Sequence, residues 1–192
     1  VPRLNKCVDA TLDGELVDWW ILFSVNHFDM RQERVLMITQ KSVLRVKVNF
    51  STWQVQKVTR LLFSEMESIT AGKMRYESGS YAEKVASEGA GNFTQVGAVV
   101  GTIALQIKMK GEPPTMMQRW NPASSHMGRL CTTLTSHAST TSPDPEEGKE
   151  SVHTFRRALE AALPGPLQVQ EGDIVSEASP VGLALSTTHN QV

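Results

Sequence analysis

Between residues 19 and 76 the chain alternates apolar β-formers with polar residues in runs broken by short polar turns. The clearest run is 42–50, where Leu44, Val46, Val48 and Phe50 share one face and Arg45, Lys47 and Asn49 the other. Successive side chains of a strand point to opposite sides of the pleat, so this period predicts a half-buried strand. The same reading predicts strands over 17–28, 34–40, 53–62, 67–76 and 102–110, with shorter ones at 116–124 and 130–135. The polar stretch 29–33 reads as a hairpin connection and 63–66 as a single helical turn.

A different period follows. Val152, Phe155, Leu159, Ala162 and Leu163 fall on one side of a helix predicted over 146–163. Glu146 and Glu147 sit at its positive end and Pro164-Gly165 stops it. Gly79, Gly89, Gly91, Gly97 and Gly101 mark 78–101 as a flexible insertion. The expected organisation is a lead-in over 1–16, one domain over 17–163, and a C-terminal segment over 164–192 that packs on the domain or on a second copy. The expected fold class is α+β and pleckstrin-homology-like. It consists of an antiparallel curved sheet or partly open barrel of about seven strands, closed by the C-terminal amphipathic helix.

Composition narrows the function. Nineteen Lys and Arg against 20 Asp and Glu leave a formal charge of −1, without the basic excess that phosphate neutralisation demands of a nucleic-acid binder. No apolar run reaches the roughly 20 residues that span a bilayer. Cys7 and Cys131 are too few for a disulfide framework and read as free thiols in a reducing compartment. The opening Val1-Pro2-Arg3 lacks an initiator Met, and the chain reads as a piece of a longer cytosolic protein.

Catalytic chemistry is not signalled. A cysteine phosphatase places an Arg six positions after its Cys, where this chain has Asp13 and His137. There is no phosphate loop, nucleophile elbow or zinc helix, and the histidines lack metal-ligand spacing. The reading is therefore of no catalytic residues, no metal and no cofactor.

Two groups remain as candidates for binding. Arg31, Arg34, Lys41, Arg45 and Lys47 could pair with an anionic lipid headgroup if the fold clusters them, against the alternative of a solvated sheet face. Adjacent Trp19 and Trp20 must face opposite ways on a strand, so one of them is expected at an interface. Arg119-Trp120 is the other interface candidate, although a structural corner explains it as well; Trp53 is expected in the core.

Gly14-Glu-Leu-Val-Asp-Trp-Trp-Ile-Leu-Phe-Ser-Val-Asn-His-Phe28 and Gln32-Glu-Arg-Val-Leu-Met-Ile-Thr39 resemble the opening of the Sac-phosphatase homology domain. The likeness continues through Lys41-Ser-Val-Leu44, Val55-Gln56, Val58-Thr-Arg60 and Arg119-Trp-Asn-Pro-Ala-Ser124, and into Asp173-Ile-Val175 and Val181-Gly-Leu183. That domain accompanies the Sac catalytic domain in inositol polyphosphate 5-phosphatase F and forms most of the tumour protein p63-regulated gene family. The chain departs from the pattern at Asp29-Met-Arg-Gln32, where the family is richer in Asn and Lys, and in the Gly-rich insertion. The resemblance implies a pleckstrin-homology-like, non-catalytic domain linked to phosphoinositide metabolism. It implies a homodimer with protein scaffold partners, cytoplasmic and peripheral to endosomal or vesicle membranes. The alternative is a phosphoinositide- or anionic-lipid-binding module that uses the basic group.

Overall fold

The computed structural model describes residues 4–25, 31–75, 101–111, 131–137 and 148–176. The expected strand at 116–124, Arg119, Trp120, nearly all of the Gly-rich stretch and the tail beyond 176 lie outside the described residues.

The alternating runs form two antiparallel meanders. The first comprises β1 (Leu16–Val25), β2 (Arg31–Thr39), β3 (Ser42–Asn49) and β4 (Gln54–Leu62). A 3-10 turn at Phe63–Glu65 leads into the second, made of β5 (Met66–Arg75), β6 (Ile103–Met109) and β7 (Cys131–Thr135). Strand β7 pairs with β1, so the order runs β4-β3-β2-β1-β7-β6-β5. Two short strands, β8 (Val169–Glu171) and β9 (Ile174–Val175), then pair with β5 in parallel.

Among the described residues there are thus nine strands, where the alternation predicted about seven. Three- and two-residue strands are too short to display a period, and their parallel pairing was not expected either. The sheet is mostly antiparallel and open, with β4 and β8 at its ends and no pairing to close a barrel among the described residues.

The sheet nevertheless curls around one core. Leu22, Leu36, Ile69, Ile107 and Leu134, from β1, β2, β5, β6 and β7, are fully buried together with Phe155. Each such side chain contributes about 1.5–3 kcal/mol relative to exposure. Phe155 comes from the helix α1 (Val152–Ala162), which starts later than the predicted residue 146. Its true start is Ser151, whose Oγ accepts the His153 backbone N–H at 3.2 Å. Just upstream Gly148 has φ +115°, outside helical geometry. Trp20 meets Phe155 edge-on with centroids 5.3 Å apart, and its Nε1 donates to Thr154 Oγ1 at 3.0 Å.

A second apolar layer lies on the outer face of β1–β4. Val35, Met37, Leu44, Val46 and Val48 are buried there beneath Leu4 and Cys7 of the N-terminal segment. The alternating set that predicted a half-buried β3 therefore packs outward, under this strap, and the Arg45 face turns toward the main core. A single carboxylate clasps the strap. Fully buried Asp13 accepts from Arg60 Nε at 3.1 Å and from Ser42 Oγ at 2.8 Å, while Arg60 Nη2 donates to the Cys7 carbonyl at 3.1 Å.

The C-terminal strands depend on a glycine. A Cβ at Gly72 of β5 would lie 2.0 Å from the Gly172 carbonyl oxygen, between β8 and β9, so no side chain fits.

Candidate functional site

Registers assign the cations to faces. Val43 pairs with Leu61 and Leu36 with Arg45, and Lys47 stands opposite Lys57. Val43, Leu61 and Leu36 belong to the main core. Arg45, Lys47 and Lys57, in phase with them, lie on the same inner side, and Arg34, two residues before Leu36, joins them. Four cations thus share the inner face of β2, β3 and β4.

The curl brings β7 over this group. Arg45 Nη1 donates to Thr132 Oγ1 at 3.1 Å. Three strand steps of about 4.8 Å would separate β3 from β7 in a flat sheet, beyond the span of the hydrogen bond. The strong curvature of the sheet makes the contact possible. Arg34 donates to the Glu33 carbonyl at 2.6 Å and to Gln32 Oε1.

Burial, reinforced by the Arg34 charge, brings the Arg45 guanidinium down to about 10, while neighbouring Cys131 opposes the shift. Burial also lowers Arg34. Both remain cationic at neutral pH. Like charges directly opposite on neighbouring strands destabilise a sheet, and here a Lys–Lys pair adjoins two partly buried arginines in a chain of formal charge −1. The arrangement suits a multivalent anion, above all a phosphate ester that can take a guanidinium fork.

The other sequence candidates go elsewhere. Arg31 lies on the outer face, its guanidinium 6.0 Å from the Phe23 ring. Lys41 sits at the far β2–β3 turn and donates to the Thr11 carbonyl at 3.1 Å. Trp20 is core, so it is not available to a partner, and Trp19 packs half-buried against the outer layer. Lys57 was missed, although a β3–β4 hairpin register would have put it opposite Lys47. Trp53, expected in the core, is instead 37% exposed at the β3–β4 tip. Among the described residues no group of three metal-ligating side chains occurs. No described helix is long and apolar enough to cross a membrane.

Residues 2–92 match the family model described as hSac2: Inositol phosphatase. The match covers just under half of the chain, which is similar to this family over those residues. The matched residues contain the strap, β1–β5 and all four inner-face cations. The human tumor protein p63-regulated gene 1 protein is 25% identical over 119 residues, 62% of this chain and 38% of that protein. The match therefore spans well under half the length of that relative. The hSac2 domain from human phosphoinositide phosphatase Sac2 aligns with a TM-score of 0.45 at 14% identity, over 86% of this chain and 81% of that one.

Proposed function

We propose that this chain carries a Sac-homology domain, a non-catalytic, pleckstrin-homology-like adaptor that holds a longer protein at a phosphoinositide-bearing membrane by binding anionic headgroups on its inner cationic face. The observation that carries the reading is the Lys47–Lys57 pair beside Arg45 and Arg34 on one face. The description of the matching family model as an inositol phosphatase supports the choice of ligand. So does the order of seven antiparallel strands with one C-terminal helix, which favours the pleckstrin-homology-like comparison. The test is co-sedimentation with phosphatidylcholine vesicles, with and without a phosphoinositide, across a salt series. Binding is expected only to the anionic vesicles and to weaken with salt. Lys47→Glu/Lys57→Glu, which changes two exposed side chains, should abolish it while leaving the melting temperature in place. Unchanged binding by that variant rejects the site.

Homodimerisation is the second reading. The observation in its favour is β4, a nine-residue strand with no second sheet partner among the described residues, since such an edge can pair with another chain. Its Lys57 and Arg60 work against pairing, as edge charges commonly do. Light scattering over a concentration series tests it, and a monomer throughout excludes a stable dimer.

A further inference from the structure

The β3–β4 connection holds its aromatic residue in an unfavourable conformation. Trp53 has φ +55°, the one non-glycine with positive φ among the described residues, in a region that crowds any side chain with a Cβ. Gly or Asn serves such a turn better. The turn is nonetheless tightly built: Trp53 N–H donates to the Asn49 carbonyl at 2.6 Å. Asn49 Oδ1 accepts from Ser51 N–H at 3.0 Å and Thr52 N–H at 3.2 Å. Phe50 meets the Trp53 ring edge-on at 5.8 Å. A fixed backbone therefore presents an exposed indole, backed by a second ring, at the tip of the hairpin whose strands carry Lys47 and Lys57.

Strained backbone conformations cluster at functional sites. An indole has an apolar body and one polar N–H, which suits the boundary between headgroups and acyl chains. Cations next to an apolar tip suit an anionic bilayer, which attracts them while the rings enter the interface. We infer that the Phe50–Trp53 tip is a membrane-insertion element that enters the interface of an anionic bilayer while the neighbouring cations hold headgroups. This deepens the headgroup-binding reading and rests on it.

The experiment uses the full 192-residue chain and vesicles of phosphatidylcholine plus a phosphoinositide, with or without brominated acyl chains. Vesicles should shift tryptophan emission to the blue, brominated chains should quench it, and Trp53→Phe should remove most of both effects. Trp53→Gly should weaken vesicle binding about tenfold, equivalent to roughly 1.4 kcal/mol. It should keep the affinity for a soluble inositol polyphosphate and melt no lower than the parent, because glycine relieves the positive φ. Quenching that survives Trp53→Phe, or vesicle binding unaffected by Trp53→Gly, overturns the inference and leaves headgroup binding standing. A blue shift that depends on protein concentration without vesicles also overturns it, since Trp53 then meets a second copy. Absence of binding to vesicles and to the soluble polyphosphate rejects the headgroup reading, and the insertion element with it.

Discussion

Removing Asp13 tests how the strap is held. Its carboxylate is fully buried and accepts from Arg60 Nε, from Ser42 Oγ and from the Asp9 backbone N–H at 2.8 Å. Truncating one partner of a buried ion pair typically costs about 3–5 kcal/mol. Arg60 keeps a third of its side chain in water (35%) and can rehydrate, so the low end applies: about 3 kcal/mol for Asp13→Ala. Arg60→Ala leaves the carboxylate with two donors and should cost about 2–3 kcal/mol by the same reasoning. The double variant should fall short of the sum by about 1–3 kcal/mol, since each single change strands the same partner. Urea unfolding curves measure all three, and for a chain of this size about 3 kcal/mol lowers Tm by about 6–12 °C. Loosening the strap should also speed alkylation of Cys7, whose carbonyl holds Arg60 and whose thiol burial pushes up. A loss below about 1 kcal/mol, the range of an exposed pair, or strict additivity would refute the clasp.

Two further outcomes follow from the packing. Gly72→Ala should destabilise by about 1–3 kcal/mol or more, with amide exchange accelerating first in β8 and β9, because the new methyl meets the Gly172 backbone; uniform acceleration would count against that contact. Burial brings Arg45 down to about 10, below its ordinary value, so at high pH the unfolded chain binds more protons and stability should rise as pH climbs past about 10. Arg45→Met should flatten that rise and melt above the parent at neutral pH, at the expense of headgroup binding; an unchanged pH profile would remove the desolvation argument.

The alternation in β3 identified the strand and its two faces, because a two-residue period is a local property of the chain. It could not say which face turns inward. The apolar set Leu44, Val46 and Val48 looked like the core face, yet it meets the N-terminal strap, while Arg45 shares a side with Val43 and Leu61. That assignment depends on Leu4 and Cys7, some forty residues away. The basic group was legible as a list, but the sheet dispersed Arg31 and Lys41 and supplied Lys57 through cross-strand register. Adjacent Trp19 and Trp20 were correctly read as opposed. What covers each of them comes from distant segments, α1 for Trp20 and the outer layer for Trp19. The helix was read too long at its start because acidic residues suit a first turn, whereas Ser151 fixes the cap.

The pairing of Ile69 with Val169 joins positions a hundred residues apart. On a ribosome that adds roughly 5–20 residues per second, β5 waits about 5–20 s for its parallel partner. Phe155 and Leu159, which complete the core, also emerge late. For much of that interval β7, which joins β1 to β6, is absent too, so the two meanders stand apart with their apolar faces uncovered. Synthesis order therefore leaves the joining of the meanders and the filling of the core to the last third of the chain.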